Sequence, residues 1–248
     1  MDSFTIEIAG LSVGVQPLFS STQVYFVRYL TDRSPDFFVD VSSDDLAFEQ
    51  RILDLEADEE GLRRRKFSDP FLERSIIQRK IALELINRDT LLFHGSTVAV
   101  NGFAYLFTAP CGTGKSTHTR LWRDVFGDRA IMINDDKAFL KVTSSGVIAY
   151  GSPWSGKHGL DTNVSLPLKG ICFLRRGKEN RIWLGDSQKL WDEIAHQCLI
   201  PDDPEGKTNS LALIDGLLRF VPLWEMECTK DPSAAVLSYN TMSNFSVK

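Results

Sequence analysis

The first 40 residues carry a partial alternation of hydrophobic and polar positions, which predicts short β-strands. The segment 4–15, FTIEIAGLSVGV, indicates one strand. QVYFVRYL at 23–30 and DFFVDV at 36–41 indicate two more, and the polar residues SSDD end this region. The N-terminal part is therefore expected to begin with a small group of strands.

Two helical segments are predicted next. The first starts near Asp45 and carries EADEEGLRRRK at 56–66, an acidic run followed by a basic one. The basic run Arg63–Lys66 is interpreted as a solvated helix face or loop, with an acidic partner or substrate as the alternative. The second starts at Asp69, and its apolar residues recur at helical spacing, which predicts an amphipathic helix that packs on the core at Ile77, Ile81 and Leu85.

A β-hairpin is predicted within LLFHGSTVAVNGFAYLFTAP at 91–110, because Asn101-Gly102 separates two apolar runs. Its register predicts three facing pairs: Val100 with Phe103, Val98 with Tyr105, and His94 with Ala109. This pairing would bring His94 to the start of the glycine-rich segment that comes next.

The remaining pattern alternates helices and strands. STHTRLWRDVFG predicts a helix with Gly127 as its C-cap, and AIMI at 130–133 is typical of a strand buried on both faces. Further strands are predicted at 137–142, 147–154, 164–174, 181–186 and 221–228, and further helices at 187–199, 210–220 and 231–242, with PDDPEG as a loop. His118, His196 and the tryptophans other than Trp154 are interpreted as structural.

Composition narrows the function classes. The chain has 248 residues, 43% of them hydrophobic, and a net charge of -5, which gives no basic excess for nucleic acid. No apolar run approaches the ~18 residues that span a bilayer, and no basic region that would indicate a signal peptide opens the chain. The cysteines are scattered without a Cys-x-x-Cys pair, so reduced thiols in the cytoplasm are expected rather than zinc or disulfides, at Cys111, Cys172, Cys198 and Cys228.

The segment Ala109–Ser116, APCGTGKS, fits the Walker A pattern with alanine at the first glycine position. Gly112 and Gly114 let backbone N–H groups turn toward phosphate oxygens. Lys115 adds a positive charge near the β- and γ-phosphates, and the Ser116 hydroxyl can bind Mg²⁺. The predicted nucleotide-binding residues are Pro110, Cys111, Gly112, Thr113, Gly114, Lys115, Ser116 and Thr117.

Asp135 and Asp136 come directly after the predicted AIMI strand and Asn134. Adjacent carboxylates at a buried strand end are costly unless they meet a cation. One of the two carboxylates can help to hold Mg²⁺, and the other can take a proton from an acceptor hydroxyl or orient a water. The alternative is a turn-initiating pair.

Two other segments carry candidate chemistry. His94, which the hairpin register places at the phosphate loop, can donate a hydrogen bond to a phosphate or to the catalytic carboxylate; the alternative is a structural histidine. The loop GSPWSGKHG at 151–159 places Lys157 among glycines, next to a tryptophan expected to be exposed. Lys157 is a candidate catalytic cation, the alternative is a plain surface loop, and the candidate substrate contacts are Trp154, Ser155, Gly156 and His158.

In this order, FHGSTVAVNG, APCGTGKST and INDD resemble the HPr serine kinase/phosphorylase and phosphoenolpyruvate carboxykinase group of P-loop proteins. The resemblance in these motifs covers about residues 90–175. The C-terminal two thirds of the chain is similar to bacterial HPr-kinase-like proteins, including peptide-tailoring serine kinases. The resemblance implies a P-loop α/β fold with a mixed β-sheet flanked by helices. It also implies that Asp136 is the proton acceptor, which leaves Asp135 for Mg²⁺. HPr kinases have an Arg-Gly-rich signature with a metal-binding Glu where this chain has PWSGKHGLDTN, so HPr as acceptor and the reverse phosphorolysis are not implied.

The leading hypothesis is an ATP- and Mg²⁺-dependent kinase that acts on a hydroxyl, expected to be a serine, of a peptide, protein or small molecule. Lys115, with a cation from His94 or Lys157, would offset charge on the transferred group. The alternatives are a nucleotide-binding regulatory module without turnover and a carboxykinase-like lyase. The expected division is a smaller α/β recognition or accessory domain at 1–89 and a kinase domain at 90–248, with a homo-oligomer left open.

Overall fold

The computed structural model describes residues 2–59 and 61–245. The chain divides into two compact units, one that ends at Glu84 and one that begins at Leu85. The division predicted from the sequence lies between residues 89 and 90. The predicted domains begin at residue 1 and end at residue 248, and residues 1 and 246–248 lie outside the described part of the chain. The recognition or accessory role assigned to the first part stays a prediction.

The first unit is built on a three-stranded sheet. Strands β1 (Phe4–Ile8) and β2 (Leu11–Gln16) are antiparallel, and β3 (Phe37–Asp40) runs parallel to β2. The segment predicted as one strand over 4–15 is therefore a hairpin. Its turn is Ala9-Gly10, with φ of 53° and 80°, and positive φ at both central residues matches the twist of paired strands.

The strand predicted over 23–30 is wrong. The chain there forms a helix, α1 (Ser20–Tyr25), and a 3-10 turn (Val27–Tyr29). Aromatic and β-branched residues favour a strand by propensity, but the buried positions are spaced by four and three residues, which is helical, at Thr22, Phe26 and Tyr29.

Two longer helices follow, α2 (Ser43–Glu59) and α3 (Asp69–Ile86), and the last two residues of α3 belong to the second unit. The predicted helix from about Asp45 is confirmed, but it ends before the basic run: Glu60 lies outside the described residues, and residues 62–68 are not helical. The basic residues 63–66 are exposed. The predicted inward stripe of α3 is confirmed, because burial is complete at Ile77, Ile81 and Leu85.

In its described residues, the second unit consists of one nine-stranded sheet and four helices. The strands are β4 (Thr90–His94), β5 (Ser96–Val100), β6 (Phe103–Thr108), β7 (Ala130–Asn134), β8 (Lys137–Thr143), β9 (Gly146–Tyr150), β10 (Ser165–Arg176), β11 (Arg181–Leu184) and β12 (Leu223–Cys228). The helices are α4 (Lys115–Phe126), α5 (Trp191–Ala195), α6 (Pro204–Phe220) and α7 (Ser233–Ser243).

The strand order is β4-β8-β9-β10-β6-β5-β7, with β12 beside β10 and β11 beside β12. Strand β10 is parallel to β6 and β12, and the other pairs are antiparallel. Successive residues of β6 point to opposite faces: Leu106 packs in a cluster with α6, and Phe107 in a cluster with α4 and α7. The predicted mixed sheet flanked by helices is confirmed.

The Asn101-Gly102 hairpin joins β5 and β6, and the predicted pairs Val100–Phe103 and Val98–Tyr105 are confirmed. The predicted pair of His94 with Ala109 is wrong, because the ladder ends at Ser96 opposite Phe107. Gly95 separates β4 from β5, and the chain approaches β6 so closely there that a Cβ on Gly95 would lie 2.7 Å from Leu106 Cδ2. His94 instead stands opposite Lys137, in the antiparallel pair of β4 and β8.

Four other predictions need correction. Strand β7 is last in the strand order and Ile131 is 43% exposed, so AIMI is not buried on both faces. Helix α5 has only five residues of the predicted 187–199. Helix α6 begins inside the predicted PDDPEG loop, because the Asp203 carboxylate caps it by accepting from the Gly206 N–H at 2.8 Å. Two predicted core residues are exposed, Trp183 on β11 and His196 at the end of α5.

Candidate functional site

A glycine loop, residues 109–114, connects the end of β6 to the start of α4. Gly112 and Gly114 adopt φ of 73° and 132°, which side-chain-bearing residues rarely adopt. A Cβ at either position would meet no atom within 4 Å, so backbone conformation rather than crowding requires glycine there. The loop leads into the first turn of a twelve-residue helix, where backbone N–H groups and the helix dipole favour an anion.

Lys115 is the first residue of α4 and turns back over the loop. Its Nζ donates a hydrogen bond to the Ala109 carbonyl oxygen at 2.9 Å. The predicted helix and its Gly127 C-cap (φ 54°) are confirmed. The ammonium group is therefore held at the glycine loop, where it can meet a phosphate.

Two carboxylates come directly after β7 and have different surroundings. Asp135 is 7% exposed, and its Oδ1 accepts a hydrogen bond from the Ser96 hydroxyl at 2.7 Å. Ser96 in turn shares a hydrogen bond of 2.8 Å with Thr119 of α4. The Asp136 side chain is 35% exposed, and its Oδ1 lies 3.3 Å from His94 Nε2. One carboxylate is thus fixed toward the helix and the other toward β4.

Asp136 and His94 set each other's protonation. Burial alone would raise the pKa of Asp136, but the hydrogen bond from His94 and the charges of Lys137 and Lys115 hold this pKa below its usual value. Burial, together with the two lysines, lowers the pKa of His94, against the opposing effect of Asp136. Near pH 7 the pair is therefore a carboxylate that accepts a hydrogen bond from a neutral imidazole.

These groups line a single cavity of about 520 Å³, called here the carboxylate cavity. Most of the predicted site residues meet there, and the lining consists of His94, Cys111, Gly112, Gly114, Lys115, Ser116, Thr117, Asp135, Asp136 and the 3-10 turn Gly156–His158. Gly156 has φ of 66°, and a Cβ on it would lie 3.2 Å from Asp136 Cβ. The turn that carries Lys157 therefore lies against the carboxylate.

The start of the 151–159 loop differs from the prediction. Trp154 is 7% exposed, so the expectation of an exposed tryptophan is wrong; its ring packs edge-on against Phe139 at 6.3 Å. Ser155 is 2% exposed, and its hydroxyl donates to Asp161 at 2.6 Å. These two residues, like Pro110, are not among those that line the carboxylate cavity. The predicted contact of Trp154 and Ser155 with substrate stays a prediction. Within the 151–159 loop, the residues that line the carboxylate cavity are those of the turn Gly156–His158.

A second cavity of about 660 Å³, called here the arginine cavity, was not expected from the sequence. It shares Gly112, Gly114 and Thr117 with the carboxylate cavity, and it also contains the predicted loop residue Thr113. Arg176 donates a hydrogen bond to the Gly112 carbonyl oxygen at 2.7 Å. Lys230, which lies just beyond β12, contributes a second cation.

The signal that could have located this cavity is topological. Strands β10 and β12 are parallel to β6, so their carboxyl ends meet beside the glycine loop, where ligands of α/β sheets bind. Arg176 is the last residue of β10. Recognising it required the strand order, which the hydrophobic pattern does not contain.

No protein-family model and no curated protein matches this chain. One solved structure that it resembles is the Hpr(Ser) kinase/phosphatase from Coxiella burnetii. The two are 12% identical with a TM-score of 0.37, over 62% of this chain and 88% of that chain. At these values nothing about the chemistry of this chain follows from the similarity, and membership of the HPr kinase group stays a prediction.

Three further findings concern the described residues only. None of their helices is both long enough and apolar enough to cross a bilayer. They contain no group of three or more His, Cys, Asp or Glu side chains that could hold a metal ion. The four cysteines are free thiols, and Cys111 is the exposed one.

His118, on α4, is buried in a structural network. Its Nε2 lies 3.0 Å from the Ser238 hydroxyl, which also accepts a hydrogen bond from Trp122 Nε1 at 2.9 Å. Its ring packs on Phe107 with a centroid distance of 4.5 Å. Burial lowers the pKa of His118 from 6.5 to about 3, so the imidazole is uncharged in the folded protein.

This burial predicts an acid-dependent loss of stability. Below pH 6.5 the unfolded chain binds a proton at His118 that the folded protein does not bind until about pH 3. The free energy of unfolding should therefore fall by up to about 1.4 kcal/mol per pH unit in this window. We expect His118→Gln to remove that contribution in urea unfolding at pH 4.5–6.5. His196→Gln, at an exposed site, is the control, and equal slopes for His118→Gln and wild type would contradict the prediction.

Proposed function

We propose that this protein is an ATP-dependent kinase that transfers the γ-phosphoryl group to a hydroxyl, expected to be a serine, of a peptide, protein or small molecule. One observation carries the proposal: the glycine loop, Lys115 and the Asp136–His94 pair line the same cavity. A phosphate-binding loop alone would suit any nucleotide-binding protein. A half-exposed carboxylate beside it supplies the proton acceptor that a kinase requires.

The nucleotide would lie across the loop. Its phosphates would meet the backbone N–H groups of residues 110–117 and the Lys115 ammonium group. The arginine cavity gives room for the nucleoside, with Arg176 and Lys230 near the α- and β-phosphates. Guanidinium and ammonium groups suit phosphate oxygens.

The donors for Mg²⁺ would be the Ser116 hydroxyl and the Asp135 carboxylate. They line the same cavity, and Ser96 fixes Asp135 Oδ1, so the other carboxylate oxygen is the one assigned to the ion. Oxygen ligands from one or two side chains and from phosphates are what Mg²⁺ prefers. When bound, the ion would offset negative charge on the β- and γ-phosphates.

The reaction would proceed at Asp136. Its carboxylate accepts the proton of the acceptor hydroxyl while the hydroxyl oxygen forms a bond to the γ-phosphorus. The bond between that phosphorus and the β–γ bridging oxygen breaks, and ADP leaves with its electron pair. His94 holds the carboxylate in place, and Lys157 provides a cation for the transferred group.

The test is phosphoryl transfer by the wild-type protein. We would incubate it with Mg-ATP and a pool of serine-containing peptides and small hydroxyl metabolites, with Mg-ADP as the control, and follow masses. The expected result is a gain of one phosphoryl group on an acceptor with ATP only. Tight ATP binding without transfer to any member of the pool would favour a regulatory nucleotide-binding module instead. Cytoplasmic location and a homo-oligomer stay predictions.

A further inference from the structure

Asn134, the last residue of β7, is fully buried and makes hydrogen bonds in two directions. Its Oδ1 accepts from the backbone N–H groups of Asp136 at 2.7 Å and Lys137 at 2.6 Å. Its Nδ2 donates to the Ser152 carbonyl oxygen at 2.8 Å, the Ser152 hydroxyl at 3.0 Å and the Trp154 carbonyl oxygen at 3.3 Å. One amide group thus bonds two separate segments of the backbone.

Both segments contribute residues to the lining of the carboxylate cavity. The first contains Asp136, and the second leads from Ser152 to the turn Gly156–His158. The second segment is fastened further by a bridge between Asn134 and Asp161 and by the hydrogen bond from Ser155 to Asp161 at 2.6 Å. Where the segments meet, a Cβ on Gly156 would lie within 3.2 Å of Asp136.

Only an amide fits this position. Oδ1 must accept from two N–H groups, and Nδ2 must donate to carbonyl oxygens, so the side chain needs an acceptor and a donor in one small planar group. An ionised aspartate has acceptors only. One of its oxygens would therefore lie next to the Ser152 and Trp154 carbonyl oxygens with no proton to donate to them. Leucine has the same shape and neither function.

We propose that Asn134 is a positioning residue that fixes the Asp136 carboxylate relative to the Gly156–His158 turn for phosphoryl transfer. It does not line the carboxylate cavity, so it acts through the backbone groups that it holds. The proposal rests on the proposed kinase function. A displacement of about 1 Å at a reacting group can lower a rate by on the order of 100-fold.

The test uses Mg-ATP with water as the acceptor, so it does not require an identified substrate. In Asn134→Asp, we expect ATP hydrolysis at pH 8 to fall by about 30- to 100-fold while the Kd for ATP stays within about twofold of wild type. The loss should shrink at pH 5.5, because a buried aspartate is readily protonated and its neutral form again offers one donor and one acceptor. Dividing the rate of the variant by the wild-type rate at the same pH cancels the effect of groups that titrate in both proteins.

The matched control is Asp186→Ala. Asp186 caps a similar turn after β11, where its Oδ1 accepts from the N–H groups of Gln188 at 3.0 Å and Lys189 at 3.4 Å, and it does not line the cavity. It should behave like wild type. An Asn134→Asp variant with the wild-type rate, or one whose rate and ATP affinity fall together at both pH values, would overturn the positioning role.

Hydrogen exchange keeps the proposal testable if Asn134→Asp does not fold. Ser152→Ala removes the hydroxyl that accepts from Asn134 Nδ2 and donates to the Lys137 carbonyl oxygen, two bonds that join the same two segments. It leaves the bonds from the backbone of Asp136 and Lys137 to Asn134 Oδ1. We expect faster amide exchange across 152–158 and a rate reduced several-fold, with residues 109–117 unchanged. Unchanged exchange at 152–158 would contradict the link. A wild-type protein that binds ATP but neither hydrolyses nor transfers it would instead overturn the proposed function, and with it this role.

Discussion

Replacing Asp136 by asparagine is expected to lower phosphoryl transfer by about 10³-fold, since a positioned general base contributes about 10² to 10⁴. Asparagine keeps the shape and can still approach His94, but its amide oxygen does not take a proton from a hydroxyl. The pKa of Asp136 is held below its usual value, so wild type already has the proton-accepting form at neutral pH. Single-turnover rates with a saturating acceptor, or with water, measure the effect.

Nucleotide binding should separate from chemistry in this variant. The glycine loop and Lys115 remain intact, so the Kd for ATP should stay within about twofold of wild type. Asp124→Asn, at an exposed position of α4, makes the same chemical change outside the cavity and should leave both quantities unchanged. Transfer at the wild-type rate by Asp136→Asn would remove Asp136 from the role of base.

Replacing Lys115 should weaken nucleotide binding, which the change at Asp136 should leave intact. We expect Lys115→Ala and Lys115→Met to weaken ATP binding by about 100-fold or more, because hydrogen bonds to charged groups contribute about 1.5–3 kcal/mol each and the phosphate loses its nearest cation. The methionine variant keeps most of the length of the side chain, so it isolates the charge. Calorimetric titration with ATP and with ADP measures the loss.

Arg120→Met is the matched control for the lysine variants. Arg120 is an exposed cation on the same helix and lies outside the lining of both cavities. It should bind ATP like wild type. Unfolding by urea would establish that each variant is folded, and ATP affinity unchanged in folded Lys115→Met would contradict the assignment of the phosphate site.

The parts of this fold that were predictable are those in which the signal is local. Asn101-Gly102 fixes its hairpin because two adjacent residues supply the positive φ that the turn needs. The glycine loop and the start of α4 arise in the same way from Gly112, Gly114 and Lys115. In each case the cause and the structure lie within a few residues of each other.

Two wrong predictions and one feature that was not predicted depend on partners distant in sequence. His94 was placed by extending a hairpin, whereas β4 pairs with β8, more than 40 residues further along the chain. Trp154 was expected to be exposed from its glycine-rich surroundings, but Phe139 of β8 covers it. Arg176 reaches the loop only through the parallel pairing of β10 with β6. Strand order decides all three, and a single hydrophobic pattern does not encode it.

The pairing of β5 with β7 contains an irregularity that bears on the two acids. Thr97 lies opposite Asn134, but Val98 lies opposite Met132, so Ile133 is an extra residue in β7. Side chains along a strand alternate between faces, and one extra residue inverts the order of faces for every residue beyond it. Asp135 and Asp136 follow directly on this strand, and Asp135 meets Ser96 whereas Asp136 meets His94. The number of residues in β7, and not only their type, therefore bears on which of two chemically identical neighbours meets which partner.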